Sequence, residues 1–322
     1  MHRITLALFF SLALSACSIN VTMPLFNNAS PVLSESALRE GSSSKILVIP
    51  LEGTISSHDS RSLLGGSPNT VDGVVRRLNK ARDDSSIVAV ILKVNSPGGA
   101  VAATDSIYSE LLRFKRERGI PMIAYFQDVA ASGGYYAAMA CDHVIAQRTN
   151  VCGSIGVFFV HVSVEGLMND LGVKAQILRT GPMKGDGLPI APLNKEQLEY
   201  RQSMIDEAFD GFIGVVDAGR TNLDEASIRK LADGRVYTAS KAKENGLIDA
   251  IGTFDDAVTK AGQMAGASDA SVVIYSYVSD DVERTIYTDT KTEGGINLGV
   301  NLLERLGLDH AGSHLLYLWS PE

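Results

Sequence analysis

The sequence predicts an α/β protein with a mainly parallel sheet and flanking helices. Three apolar runs, at residues 45–51, 87–95 and 121–126, have the composition of strands that are buried on both faces, which is typical of parallel sheets. Segments with helical spacing of apolar residues, 70–83 and 102–118, lie between these runs. Because alternating strands and helices form parallel sheets covered by helices, the order of the segments supports the same fold class.

The alternation continues beyond residue 130. We expect a short helix over 131–140, strands at 143–146, 157–160 and 175–178, a long amphipathic helix over 196–216, shorter helices at 227–231 and 240–245, and a strand at 272–278. The rest of the segment from 267 to 322 has weak periodicity and predicts little regular structure.

Composition restricts the classes of partner. The chain has 322 residues, 45% of them hydrophobic, and a formal net charge of −8, so it can bury a sizeable core. An acidic chain without clustered Lys and Arg is a poor ligand for nucleic acid, because phosphate binding needs such clusters. We also expect no cofactor and no metal.

The N-terminal segment differs from the rest of the chain. Its apolar run, residues 4–14, is too short to span a membrane and has the length of the apolar region of a signal peptide. The run ends in Leu14-Ser15-Ala16-Cys17, which is similar to the lipobox of bacterial lipoproteins. We therefore expect a lipoprotein-type signal peptide over 1–17 with lipidation at Cys17, followed by a tether over 18–44 that is rich in Ser, Asn and Pro. An ordinary signal peptide with an incidental cysteine is the alternative.

Two further cysteines remain after Cys17. In an exported protein Cys141 and Cys152 could form a disulfide. Their surroundings are apolar and rich in Ala and Gly, which favours two buried free thiols instead.

Two glycine-rich turns follow predicted strands and so lie at the carboxyl edge of the sheet, where such folds bind ligands. The first, 95–99, is Asn-Ser-Pro-Gly-Gly, whose backbone N–H groups could face a developing oxyanion. The second, 130–136, places Ser132 at a turn before a helix, whose positive end favours an anion. Either turn alone could be structural, with Ser132 as a helix N-cap. Together they indicate a catalytic pocket.

A serine nucleophile needs a base at neutral pH. Among the six histidines, only His161 is placed credibly, directly after the predicted strand 157–160. Lys184 is the other candidate, in an irregular glycine-rich loop, 180–187, with few charges nearby. A lysine can act as a base when burial disfavours its ammonium form. On these residues alone, a structural histidine and an exposed loop lysine both remain open.

These residues lie in motifs that resemble peptidase family S49, the signal peptide peptidases of the SppA type, which have the Clp-protease/crotonase-like fold. The matching motifs follow the family's order over nearly the whole mature chain, at 94–99, 131–136, 153–157, 181–184, 234–238, 242–249 and 316–321. The family often has an acidic residue directly after the lysine, whereas here Gly185 precedes Asp186.

The resemblance implies a role for each site residue. Ser132 would be the nucleophile and Lys184 the general base, with Ser154 orienting the lysine. The backbone N–H groups of Gly99 and Gly133 would form the oxyanion hole.

The resemblance also implies an organisation and a setting. The peptidase domain would cover 45–266 and a C-terminal extension 267–322. A single copy of the domain suggests the short form of the family, a homo-oligomeric ring or dome in which the base reaches a neighbour's nucleophile. The protein would be an endopeptidase that degrades cleaved signal peptides and other unfolded or apolar peptides, anchored to a membrane of the bacterial envelope with its catalytic domain outside the cytoplasm.

Three alternatives stay open at this point. The first is a crotonase-type enzyme acting on acyl-CoA, which export of the chain argues against. The second is a peptidase in which His161 is the base of Ser132. The third is a lipoprotein scaffold that keeps the fold without the chemistry.

Overall fold

The structure, a computed structural model, describes residues 32–58, 60–62, 65–67, 69–277 and 315–319. The predicted signal peptide, Cys17 and the first part of the predicted tether lie outside these residues. Most of the predicted C-terminal extension also lies outside them.

The described elements alternate between strands and helices along most of the chain. The strands are β1 (Ser34–Arg39), β2 (Ser42–Glu52), β3 (Ser60–Ser62), β4 (Gly65–Ser67), β5 (Ile87–Ser96), β6 (Gly98–Ala100), β7 (Met122–Ala131), β8 (His143–Ala146), β9 (Val151–Gly153), β10 (Val236–Thr238), β11 (Ala250–Ile251), β12 (Ala270–Ser276) and β13 (Leu316–Leu318). The helices are α1 (Thr70–Arg82), α2 (Val101–Arg118), α3 (Gly133–Ala138), α4 (Glu165–Asp170), α5 (Lys195–Gly219), α6 (Glu225–Leu231), α7 (Ala239–Glu244) and α8 (Phe254–Ala265).

The main sheet has the strand order β1-β12-β2-β5-β7-β8-β11, and β9 also pairs with β7 and β10. Five consecutive pairings, from β12–β2 to β8–β11, are parallel, and so is β7–β9. Only β1–β12 and β9–β10 are antiparallel among the described pairings of this sheet. The predicted α/β class, with a mainly parallel sheet and flanking helices, is confirmed.

Both faces of the sheet are covered, which explains the continuous apolar strands. Along β2, Leu47 and Ile49 contact the core on one face, where α1, α2, α3 and α5 contribute residues. Ile46 and Val48 point to the opposite face, which α8 covers. Successive side chains of a strand alternate between faces, so a strand buried on both faces has no polar alternation.

The structure differs from the expected tether and extension at their inner ends. Strand β1 lies within the segment expected to be a tether, and it pairs antiparallel with β12. Strand β12 in turn lies within the expected C-terminal extension, yet it pairs in parallel with β2 inside the main sheet. The sheet therefore reaches beyond 45–266 at both ends.

Two predicted strands are wrong. Between 157 and 194 the structure has no strand; it has one isolated bridge, between Phe158 and Leu316, and the short helix α4. Several apolar side chains of this segment are exposed, including Val162, Leu167 and Leu178. Apolar residues in this segment therefore do not indicate a strand buried in the sheet.

The cysteine prediction is confirmed, because Cys141 and Cys152 are free and buried. Burial raises the pKa of each thiol to about 12. In the part of the chain that the structure describes, no helix has the length and apolarity needed to cross a membrane.

An ion pair joins the end of α5 to the edge of the sheet. The Arg220 guanidinium donates two hydrogen bonds of 2.9 Å to the Asp249 carboxylate, which also accepts 2.7 Å from the Val144 N–H. Only 5% of the Arg220 side chain is exposed. Burial acts to raise the pKa of Asp249, but the hydrogen bonds from Arg220 and Val144 outweigh it and hold the pKa below its ordinary value.

We predict that Asp249→Asn lowers the free energy of unfolding by about 2–4 kcal/mol, because it leaves a buried guanidinium without its anion. A carboxylate whose pKa is lowered in the folded state stabilises the fold. This stabilisation is complete at pH values above the ordinary carboxyl pKa of about 4, and it is lost as the pH falls through the folded-state pKa. The free energy of unfolding, measured with urea, should therefore fall less between about pH 7 and about pH 3 in the variant than in the wild type.

Asp255→Asn is the matched control, since Asp255 is largely exposed and pairs with Arg39 at the surface. It should change the free energy of unfolding by less than about 0.5 kcal/mol. Equal effects of the two substitutions would contradict the role given to Arg220 and Asp249.

Candidate active site

Ser132 connects β7 to α3 and has a strained backbone. Its φ is 51° and its ψ is −115°, a region that side chains other than glycine rarely adopt. Among the described residues, Ser132 and Ser154 are the only positions with positive φ that are not glycine. Such a conformation costs about 1–3 kcal/mol and persists where the surroundings enforce it, often at functional sites.

The two strained serines lie side by side. Strands β7 and β9 are parallel, with their last residues, Ala131 and Gly153, in register, so the residues that directly follow the two strands are Ser132 and Ser154. The Ser132 N–H donates 2.7 Å to the Gly153 carbonyl. Because paired strands lie about 5 Å apart, the structure brings these two predicted site residues together. Both are buried, with 1% and 7% of their surfaces exposed.

The two glycine-rich turns also meet. An ideal Cβ on Gly98 would lie 2.7 Å from the Gly133 nitrogen, and one on Gly133 would lie 3.2 Å from the Gly98 Cα. The Ser96 hydroxyl holds the first turn in place. It donates a hydrogen bond of 2.6 Å to the Gly53 carbonyl and accepts one of 3.1 Å from the Gly98 N–H. Gly133 is the first residue of α3, so its N–H has no acceptor within the helix. The two glycine-rich turns therefore contact each other.

The C-terminal strand β13 lies against the first turn, a contact that sequence analysis did not anticipate. Gly99 and Tyr317 are in register in an antiparallel pair. The Val101 and Trp319 N–H groups donate to the opposite strand on either side of this pair. Because hydrogen-bonded pairs alternate in such a ladder, the Gly99 N–H points toward Tyr317. The backbone group predicted as an oxyanion donor thus faces the chain's own C-terminal strand.

Tyr317 anchors β13 in the core. Its ring stacks on Tyr136 at 5.2 Å between centroids, and its hydroxyl donates 2.7 Å to the Ala208 carbonyl. On the other side of β13, Leu316 and Phe158 exchange backbone hydrogen bonds of 3.1 and 3.2 Å. The strand therefore runs between the first glycine turn and the residues that follow Ser154.

Lys184 has a different environment from Ser132, because it is exposed in a turn. The same loop is held to α5 by two hydrogen bonds of 2.9 and 2.8 Å from Arg201 to Asp186, and by 3.1 Å from Gln197 to the Pro182 carbonyl. No hydrogen bond among the described residues joins Ser132 to Lys184. The structure thus places Ser132, Ser154, Gly99 and Gly133 together, whereas Lys184 is exposed and makes no hydrogen bond to Ser132 among the described residues.

His161, the alternative base, has a partner of its own. Its Nε2 lies 3.0 Å from the Ala191 carbonyl oxygen. This contact belongs to the same exposed segment as Lys184 and gives the imidazole a structural role there.

We predict that the free energy of unfolding of Ser132→Gly is about 1 kcal/mol higher than that of Ser132→Ala. Both variants lack the hydroxyl, but glycine adopts the positive φ without strain, and this gain exceeds its larger loss of backbone entropy. Urea unfolding of the two variants measures the difference.

Ser203, on the exposed face of α5, is the control, because glycine in an ordinary helix is less stable than alanine by about 1 kcal/mol. The sign of the Gly-minus-Ala difference should therefore reverse between positions 132 and 203. The same sign at both positions would disprove backbone strain at Ser132.

Comparison with known proteins gives the family. A profile described as Peptidase family S49 matches residues 114–268. The chain is 33% identical to a signal peptide peptidase SppA of Enterococcus faecium over 244 residues, which are 76% of this chain and 70% of that protein. It is 36% identical to Protease 4 of Haemophilus influenzae, covering 77% of this chain but 40% of the relative. A protease from Synechocystis is 30% identical, with 82% and 88% covered.

Among solved structures, the chain is similar to a lysine-to-alanine mutant of the 1510-N membrane-bound stomatin-specific protease in complex with a substrate peptide, at a TM-score of 0.43 and 18% identity, over 67% of this chain and 80% of that one. The relatives in Enterococcus and Synechocystis are matched over more than two thirds of their own length at 30% identity or above. The chain therefore belongs to peptidase family S49 and is a serine peptidase.

Proposed function

We propose that the protein is an endopeptidase in which Ser132 is the nucleophile and Ser154 orients a general base, Lys184, supplied by a neighbouring subunit. The observation that carries the proposal is the pair of strained, buried serines placed side by side at the carboxyl edge of the sheet. Strain of this kind is maintained at positions where a side chain must be held in one direction.

The proposed chemistry uses Ser132, Lys184 of a neighbouring subunit and two backbone N–H groups. The Ser132 Oγ attacks the peptide carbonyl carbon while the neutral amine of Lys184 takes its proton. The lysine then gives the proton to the leaving amine, and a water molecule releases the acyl group by the reverse sequence. The Gly133 N–H, at the start of α3, would donate to the oxyanion together with the Gly99 N–H.

Access to the first glycine turn involves β13. On one edge of this turn, Ile55 donates 2.8 Å to the Gly98 carbonyl and accepts 3.0 Å from the Ala100 N–H. On the other edge lies β13. An oxyanion that uses the Gly99 N–H must therefore replace the Tyr317 backbone at that group.

Exposed apolar residues support a site shared between subunits. Helix α4 has no buried residue, and Leu171 and Leu178 in the same segment are 70% and 89% exposed. Large exposed apolar side chains close together are typical of protein–protein interfaces. Because the segment that carries Lys184 is the one with these residues, an interface there would bring Lys184 to another subunit's Ser132. We propose a homo-oligomeric ring or dome on this basis.

We further propose that lipidation at Cys17 anchors the protein to a membrane of the bacterial envelope, with the peptidase domain outside the cytoplasm. The lipobox-like sequence 14–17 supports this setting. Cleaved signal peptides and other apolar or unfolded peptides are the proposed substrates. The name of the Enterococcus relative, a signal peptide peptidase, supports that substrate class.

We predict that Ser132→Ala and Lys184→Ala are each inactive alone and regain activity when mixed. A mixed oligomer contains sites with an intact serine from one subunit and an intact lysine from the next, so random mixing restores about a quarter of the sites. The measurement is cleavage of an apolar fluorogenic peptide after the two variants are dissociated, mixed and reassembled.

His161→Ala is the control and should keep its activity, because its imidazole contacts Ala191. Activity in Lys184→Ala alone would refute the lysine as base. Two inactive variants that stay inactive after verified subunit exchange would refute the shared site.

A further inference from the structure

A cavity of about 420 Å³ lies next to Ser154. It is bounded by the segment after Ser154, helix α5, the loop before β10 and the end of β13. Its lining includes Ser154, Val157, Ile205, Asp206, Phe209, Asp233 and Trp319. Because Ser154 adjoins Ser132, this cavity lies next to the candidate nucleophile.

The walls of the cavity are mainly apolar and include three aromatic rings. Phe158, Phe209 and Trp319 contribute rings from three separate elements, and Val157 and Ile205 add aliphatic surface. Such walls suit a long side chain with an apolar stem. The faces of aromatic rings also attract cations, most strongly at Trp.

Two carboxylates line the same cavity, and they differ in their partners. Asp233 forms an ion pair with Arg235 in its own loop. Asp206, which is exposed on α5, accepts 2.7 Å from the neutral amide of Gln202. No ion pair of Asp206 occurs within the part of the chain that the structure describes. The cavity therefore presents one negative charge that no cation of the described chain neutralises.

We propose that this cavity is a specificity subsite for a Lys or Arg side chain of the peptide substrate, and that Asp206 is its specificity-determining residue. The aliphatic stem would pack on Val157, Ile205 and Phe209 while the charged head reaches Asp206 at the water-exposed side, as long basic side chains do at apolar surfaces. An acidic side chain would meet Asp206 with like charge. The proposal rests on the proposed function, since it assigns a role in substrate selection to the same site.

The chemistry of this subsite agrees with the proposed substrate class. A signal peptide carries basic residues next to an apolar run. A subsite for a basic side chain, beside a cleft that takes apolar residues, would select peptides at that junction.

The test is a positional scan with an apolar fluorogenic peptide, in which each residue around the cleaved bond is in turn Lys, Met or Glu. Methionine is the uncharged reference, because its side chain is similar in length to the aliphatic stem of lysine. At one position the wild type should cleave the Lys peptide with a kcat/KM about two- to fivefold above the Met peptide, the size expected for an exposed ion pair. Glu should be the poorest residue there, and added salt should reduce the Lys preference.

Asp206→Asn should bring the Lys-to-Met ratio at that position to about one. Glu207→Gln is the matched control: it removes the same charge from the next residue of α5, does not line the cavity, and should keep the wild-type ratio.

Two results would overturn the proposal: no position with a Lys preference in the wild type, or a preference that survives in Asp206→Asn. Both leave the proposed function standing if cleavage still depends on Ser132. Peptides cleaved equally by the wild type and Ser132→Ala would instead refute the proposed function, and the subsite with it.

Discussion

The close approach of backbone segments around Ser132 is the constraint on which the rest of the site depends. An ideal Cβ on Gly98 would lie 2.0 Å from the Tyr317 carbonyl oxygen, and one on Gly99 would lie 2.0 Å from the Ile55 carbonyl oxygen. No side chain fits at such distances, so the turn after β5 must be glycine at both positions. Because β5 and β7 are parallel neighbours, their ends lie at one edge of the sheet, and the turn reaches Gly133 directly.

The strain at Ser132 is maintained by the helix that follows it. Every residue of α3 is buried. The Tyr135 hydroxyl donates 2.7 Å to the Leu247 carbonyl, and the Tyr136 hydroxyl donates 2.7 Å to Asp105. Burial first, and then the hydrogen bond to Asp105, raise the pKa of Tyr136 above its ordinary value. Rigid packing behind the serine therefore offsets the cost of its backbone conformation.

The sequence predicts best where one physical cause controls the residues. Burial on both faces explains the apolar runs of β2, β5 and β7, and helical spacing explains α1 and α2, so these elements lie where they were predicted. The glycine turns were found for the same reason, because close backbone approach requires glycine. Strands β1 and β13 were not predicted as elements, since they are short and their partners are distant in sequence. Propensity carries little information about such pairings.

Apolar composition predicted the wrong elements in the segment between β9 and α5. The runs at 157–160 and 175–178 were predicted as strands, but the structure exposes much of this segment. Burial within one chain and burial against a neighbouring subunit leave the same apolar pattern in a sequence. Under the proposed function, the apolar residues that the single chain leaves exposed are those that a neighbouring subunit covers.

The exposure of Lys184 in the single chain also matters for its role as the base. A lysine acts as a general base only in its neutral form, and removal from water favours that form. Lys184 is exposed in the single chain, whereas Ser132 is buried. Under the proposed function, a neighbouring subunit both covers the segment that carries Lys184 and offers it a serine. Assembly would then create the desolvated base and the complete site in one step, and a solitary subunit would hold a strained nucleophile without a base to activate it.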